Sequence, residues 1–309
     1  MTDETGAAIA VVGSVSLEVF VPVAELPAPG QTVLGGGQSR QRGGKGAIQA
    51  IAAARVGGSV AMVGRVGADE SGPKLIEGLA AEGVQTAHVL ETASVPTGRA
   101  LIAVNPAGER TVIITPGANG RLTSEDCEAA KDVLAGARVT LLQREVSHEA
   151  NDTAAQLSGG FVVVNPAPVR VGENRLPARV DVLVANRRDL AALVGLLPAA
   201  LDDPQEAAWA ARKLRGVGAV VAMLGEQGVL VVQGGVSTLI KPFPVDAVDR
   251  TAAEDCFCGA LCSALANGEP LERAAVFATA AAALATTRHG SQSSLPTREE
   301  VEKLVATRR

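Results

Sequence analysis

A chain of 309 residues with 47% hydrophobic side chains can bury the core of one large domain or two modest ones. Aromatic residues make up 2%, tyrosine is absent, and 28 basic residues stand against 33 acidic ones for a net charge of −5, so nucleic acid is not an expected partner. The start is polar and acidic, and the longest apolar run, about 274–285, is too short to span a bilayer, so neither a signal peptide nor a membrane helix is expected and the chain reads as cytoplasmic.

A strand is expected over 7–12, after which a Pro/Gly-rich stretch over 22–37 delays the first helix to about 45–56. That excursion is too long for a plain strand-to-helix loop and predicts extra strands outside the main sheet. A strand at 60–66, a helix at 72–80 and a strand at 86–90 follow. Strands at 98–104 and 110–115 flank Asn105-Pro-Ala-Gly108 as a hairpin. From Thr123 the pattern alternates regularly. Helices are expected near 124–134, 147–157, 204–215, 254–266, 271–286 and 298–306. Buried strands are expected at 139–142, 161–164, 182–184 and 220–224, before an antiparallel pair at 229–232 and 237–240. Short apolar strands separated by helices predict an α/β fold with a doubly wound, mostly parallel sheet and helices on both faces. Cys127, Cys256, Cys258 and Cys262 have no Cys-x-x-Cys spacing and no nearby histidine, and read as small buried thiols in a reducing compartment.

Ligands of such sheets bind beyond the carboxyl ends of the strands. Four segments stand there: Gly13-Ser-Val-Ser16, Gln143-Arg-Glu145, Asn165-Pro-Ala-Pro168 and Asn186-Arg-Arg-Asp189. Each alone reads as a helix cap, whereas together on one sheet edge they read as a crevice. Gly43-Gly-Lys-Gly46 opens a helix and lets backbone close on a hydroxylated ligand. It is not a Walker A loop, because Gly46 stands where serine or threonine is needed, and Gly13-Ser-Val-Ser-Leu-Glu18 is not a dinucleotide fingerprint. Asp255 begins a long helix whose free N–H groups suit a phosphate. It reads either as a helix-terminus carboxylate or as the base that deprotonates a hydroxyl attacking a phosphoryl group.

Taken in order, Pro29-Gly30, Gly43-Gly-Lys-Gly-Ala47 with Gln49-Ala50, Thr97-Gly98, Gly117-Ala-Asn119, Gln143-x-Glu145, Asn165-Pro-Ala-Pro168, Leu224-Gly225 with Gly228, Ala252-Ala253-x-Asp255 and Thr287-Arg-x-Gly290 make the chain resemble the ribokinase-like (PfkB) carbohydrate kinases. The resemblance implies one domain over 1–309, with a small β-sheet lid inserted from about 15–42 and 97–115 and a homodimer formed through that lid. It implies transfer of the γ-phosphoryl group of ATP to a sugar hydroxymethyl group, with D-ribose as the default acceptor. Asp255 would be the base, and Ala252, Ala253, Glu254 and Asp255 would form the anion hole. The acceptor would lie among Ser16, Glu18, Gly43, Gly44, Lys45, Ile48, Glu145 and Asp255. The nucleotide would lie along Asn186, Leu224, Gly225, Gly228, Ala253 and His289. Mg2+ would sit near Asp189 through phosphate and water, and K+ near Asp249, Thr251, Arg288 and Gly290.

The chain departs from that pattern at several of these positions. Ser16, Glu18 and Ile48 replace the family's Asn, Asp and Asn, which alters the hydroxyl pattern being read. Asp189 replaces a glutamate. Glu254 replaces an anion-hole glycine and either faces solvent or pairs with Arg250 or Lys45. A degenerate, catalytically weak or inactive family member that binds a small metabolite, and a nucleoside kinase, stand beside the sugar kinase as readings. The Lys45 side chain, His88, His148 and Trp209 read as structural.

Overall fold

The computed structural model describes residues 7–169 and 175–308. β1 (Ile9–Val12) is buried on both faces and sends Ile9 and Val11 into one apolar core and Ala10 and Val12 into another, the period-two signature of a central strand. The chain then runs through β2 (Ser16–Pro22), β3 (Ser39–Gly43), α1 (Lys45–Arg55), β4 (Val60–Gly67), α2 (Ser71–Ala81), β5 (Gln85–Thr92), β6 (Gly98–Val104) and β7 (Arg110–Thr115). After these come α3 (Ser124–Ala129), α4 (Lys131–Gly136), β8 (Val139–Gln143), α5 (His148–Leu157), β9 (Phe161–Asn165), β10 (Val180–Asn186), α6 (Arg187–Leu193) and α7 (Pro204–Lys213). β11 (Val217–Met223), β12 (Val229–Gln233), β13 (Val236–Ile240), α8 (Ala253–Ala266), α9 (Leu271–Ala285) and α10 (Arg298–Ala306) complete it.

Among the described residues the strands form two sheets. The larger has nine strands in the order β13-β12-β11-β10-β9-β8-β1-β4-β5, parallel except for the β11-β12-β13 meander. The chain leaves β1 toward β4 and β5, then returns to build β8 on the other side, so the strand order reverses at β1 and a crevice opens beyond its carboxyl end. α1, α8 and α9 cover one face and α5 and α7 the other. α1 and α8 meet almost backbone to backbone. A Cβ on Gly259 would strike the Gln49 carbonyl and lie 2.7 Å from both Ala52 Cβ and Ala53 N, which is why this interface is built from glycine, alanine and cysteine.

The smaller sheet runs β3-β2-β6-β7, with β2 and β6 parallel and the outer pairs antiparallel. Its row beside the main sheet is Gly43, Ser16 and Gly98. β7 is exposed along its whole length, including Val112, Ile113 and Ile114.

Three expectations change. The helix expected at 124–134 breaks at Ala130 into α3 and α4, which nothing in the structure explains. α6 was not anticipated: Asn186 ends β10 and also caps this helix, its side chain accepting from Asp189 N at 2.9 Å. Trp209 is 47% exposed beneath the Lys213 ammonium, 3.4 Å from the ring centroid, so it is a surface cation–π contact and not buried packing. All four cysteines are buried free thiols.

Candidate active site

The site begins where the two sheets join. Gly44 caps α1 at φ +93°, and a Cβ there would lie 2.8 Å from Ser14 O and 2.9 Å from Ser16 N, so only glycine lets the helix start this close to β1. Ser14 Oγ donates to Glu145 Oε2, which also accepts from Lys45 N at 3.1 Å. From this anchored first turn the Lys45 side chain crosses the crevice and places Nζ 3.2 Å from Asp255 Oδ1 and 3.6 Å from Glu254 Oε1. The Lys45 side chain, read as structural, therefore reaches the carboxylates of the site at which the residue was expected. One turn further on, Gln49 donates to Asp255 Oδ1 at 2.8 Å and to Asn165 Oδ1 at 3.3 Å, and accepts from Gln143 Nε2 at 2.7 Å.

Asp255 lies in the first turn of α8 and is 6% exposed. Burial raises its pKa, Lys45 opposes this, and the neighbouring Glu254 charge pushes up again, leaving it above the usual aspartate value. Burial works against the Lys45 ammonium, but Asp255, Glu254 and Glu145 outweigh it and hold its pKa well above the ordinary lysine value. The backbone N–H groups of Glu254 and Asp255 find no acceptor among the described residues and point from the helix terminus as open donors.

Glu254 faces inward. Its Oε1 accepts from Asn165 Nδ2 and its Oε2 from Asn186 Nδ2, both at 2.8 Å. Of the two partners considered for it, Arg250 pairs instead with Glu226 at the surface, and Lys45 is the one that reaches it. Burial alone would raise the Glu254 pKa, but Lys45, Asn186 and Asn165 overcome this and lower it, so the carboxylate is charged. Asn186 Nδ2 also donates to Asp189 Oδ2 at 2.7 Å, so two carboxylates converge on one amide. Burial and then the Glu254 charge raise the Asp189 pKa to about 6. A divalent cation would relieve that repulsion, and this all-oxygen pair suits a hard ion. Among the described residues no three acidic, histidine or cysteine side chains form a metal cage, so most of such an ion's ligands would come from phosphate and water.

Toward the small sheet, Ser16 Oγ accepts from Asn119 Nδ2 at 2.9 Å, and Glu18 Oε2 accepts from Ser291 Oγ at 3.1 Å. Glu18 lies against Gly43. Ile48 is 3% exposed and packs into the core, so it presents no open apolar surface to a base. On the opposite flank Asp249 accepts from Thr251 N and Gly290 N, each at 2.9 Å, which gathers three of the four residues expected around a monovalent cation. The fourth, Arg288, turns its side chain to Glu300 of α10. His289 is exposed. Arg110, at the start of β7, donates to Thr251 Oγ1 at 2.9 Å and ties the small sheet to this loop.

Beside the α8 terminus lies a cleft of about 410 Å³ lined by Met223, Gly225, Gly228, Phe243, Ala253 and Phe257 among others. Its apolar walls and position fit a nucleotide base. Leu224 is buried behind it, its carbonyl accepting from Arg187. A larger hollow of about 1140 Å³ opens near Val217, at the amino end of β11 and away from this edge.

Gln49, Asn119 and Ser14 lie in segments that carry the resemblance or the crevice but were given no role of their own, and Ser291 and Arg110 were not expected beside the acceptor pocket. Gln49 was findable, since it stands four residues after Lys45 on one helix face. Ser291, from a distant loop, and Arg110, from the first position of β7, carry no local signal.

Residues 7–298 match the pfkB family carbohydrate kinases. The chain is 35% identical over 297 residues to the ribokinase of Haemophilus influenzae, spanning 94% of this chain and 96% of that one. Ribokinase from Thermotoga maritima has the same fold at a TM-score of 0.86 and 35% identity, over 97% of this chain and 99% of that one. Arabidopsis thaliana ribokinase complexed with ribose and ATP matches at a TM-score of 0.85 and 28% identity, over 97% and 99%. This chain belongs to the pfkB family of carbohydrate kinases and is a sugar kinase of the ribokinase kind.

Proposed function

We propose that the chain moves the γ-phosphoryl group of ATP to the hydroxymethyl oxygen of a sugar, with Asp255 as the base. The observation that carries this is the Asp255 carboxylate, held by Gln49 and Lys45 at the first turn of α8 between the Glu18–Glu145 pocket and the apolar cleft. Asp255 takes the hydroxyl proton as that oxygen forms its bond to phosphorus. The bond from phosphorus to the departing ADP oxygen breaks, and the open N–H groups of Glu254 and Asp255 face the developing charge. Asp189, with Asn186, would hold Mg2+, which supplies neutralisation of phosphate charge. The anionic Asp249, with Thr251 and the loop at 288–290, suits K+. The relative bound to ribose and ATP makes D-ribose the first acceptor to try.

The small sheet acts in this reading as a lid over the acceptor, and its exposed β7 pairs two copies. ATP turnover should be measured against a panel of pentoses, hexoses and nucleosides with Mg2+ and K+ present. One acceptor should stimulate turnover, and Asp255→Asn should lower it by roughly 10²–10⁴-fold while the protein remains folded. An Asn variant within tenfold of the parent would refute Asp255 as the base. Folded protein that binds ATP but turns over with no acceptor would select the metabolite-binding reading, which the inward position of Glu254 favours.

A further inference from the structure

The Asn165 and Asn186 amides each have two hydrogens to place. Asn165 Nδ2 donates to Val184 O at 3.0 Å and to Glu254 Oε1 at 2.8 Å. Asn186 Nδ2 donates to Asp189 Oδ2 at 2.7 Å and to Glu254 Oε2 at 2.8 Å. Their carbonyl oxygens are occupied too, by Gln49 Nε2 and Asp189 N respectively. With the Lys45 ammonium 3.6 Å away, donors from the ends of β9 and β10 and the start of α1 converge on one carboxylate. Without Glu254, each amide would present a free N–H to the crevice, and Lys45 would answer to Asp255 alone. The cradle is built for an anion, and the chain fills it with its own side chain.

The charges around it point the same way. Asp189, Glu254 and Asp255 line this edge, and Lys45 is the only cation in the described ion pairs that contacts any of them. Arg187 and Arg250, two cations close by in the chain, pair with Asp202 and Glu226 at the surface. A metal-free nucleotide would meet an excess of buried negative charge and find its amide donors taken. A cation-bound nucleotide would bring the missing positive charge and leave Glu254 bonded to both asparagines.

We infer that Glu254 is a nucleotide-specificity determinant, a built-in anion that restricts binding to the nucleoside triphosphate already complexed with a divalent cation. This rests on the kinase reading above. A residue with a merely structural role would change affinity for both forms alike when altered, whereas Glu254 sets the ratio between them.

The test is calorimetric titration with β,γ-methylene ATP, once with Mg2+ and once with EDTA, on the parent chain, Glu254→Gly and Glu254→Gln, with thermal unfolding to confirm that each is folded. The parent should bind the metal-free analogue far more weakly than the Mg2+ complex. Both variants should narrow that gap by at least about tenfold, equivalent to about 1.4 kcal/mol, mainly through tighter metal-free binding. Gln keeps the bulk without the charge, so a gap narrowed by Gly but not by Gln would overturn the electrostatic account. An unchanged gap in both variants, with Mg2+-dependent binding intact, would overturn the inference and leave the kinase reading standing. Absence of analogue binding by the parent in Mg2+ would overturn both.

Discussion

The Glu18 carboxylate lies between β2 and the loop carrying Ser291, and burial pushes its pKa from 4.5 up to about 7, with the Ser291 hydroxyl pulling the other way and Asp255 adding to the rise. A raised carboxyl pKa means that the folded state keeps a proton the unfolded chain has already released. Stability contributed by that proton is complete below pH 4.5 and is lost as pH rises toward 7. Glu18→Gln carries no such titration. Its melting temperature should therefore gain on the parent steadily across that window and level off above it, by an equivalent of at most about 3 kcal/mol. A constant difference from pH 4.5 to 8 in thermal unfolding would show that Glu18 does not carry the raised pKa. At this scale the sequence was an uneven guide. The place of Asp255 at the opening of a helix was legible from the small residues around it, whereas the choice between helix-terminus carboxylate and base was not local. The direction of Glu254 was not, since it is decided by amides 89 and 68 positions away in the chain.

Elements were more legible, because periodicity is a local property. The hairpin at 98–115, the late first helix and the alternation after Thr123 all follow from patterns the chain carries in short windows. α6 escaped because Asn186 does two jobs, capping a short helix and lining the crevice, and the seven residues it caps are too few to show a helical period of their own. What no local pattern reveals is how closely two helices approach. Gly259 is one turn beyond Asp255 on α8 and presses on the α1 backbone at Gln49, the residue that holds Asp255. Gly259→Ala should separate the helices by forcing a Cβ into that contact. It should destabilise the fold by about 1–3 kcal/mol and lower kcat by a larger factor than it raises acceptor KM, because it displaces the base while leaving the Glu18 and Glu145 side of the pocket in place. Equal melting curves and equal kcat would refute this tight coupling.

In the whole molecule, β7 leaves Val112, Ile113 and Ile114 at 44%, 59% and 43% exposure on an open sheet edge, the kind of surface a second copy covers. Ile113→Lys should shift a dimer toward monomer in sedimentation velocity, weakening association by at least about tenfold, without lowering the melting temperature of the monomer. Unchanged sedimentation would remove β7 from the proposed interface. The fold was readable from sequence because its motifs keep their order along the chain, while the junction between the sheets was not, being made of residues far apart. That junction has a mechanical meaning. β1 ends at Val12 and β2 begins at Ser16, while β3 ends at Gly43 and α1 begins at Lys45, so the small sheet has no separate linker at these crossings. The Gly43, Ser16 and Gly98 row is at once the joint on which a lid would swing and the floor on which an acceptor would rest. With the small sheet as a lid, an acceptor pressing on that floor would load the joint directly, whereas a water molecule would be too small to do so. The enzyme would thus sense the size of what it holds through its own hinge, and idle hydrolysis of ATP would be held down by a cover that stays ajar until a sugar arrives.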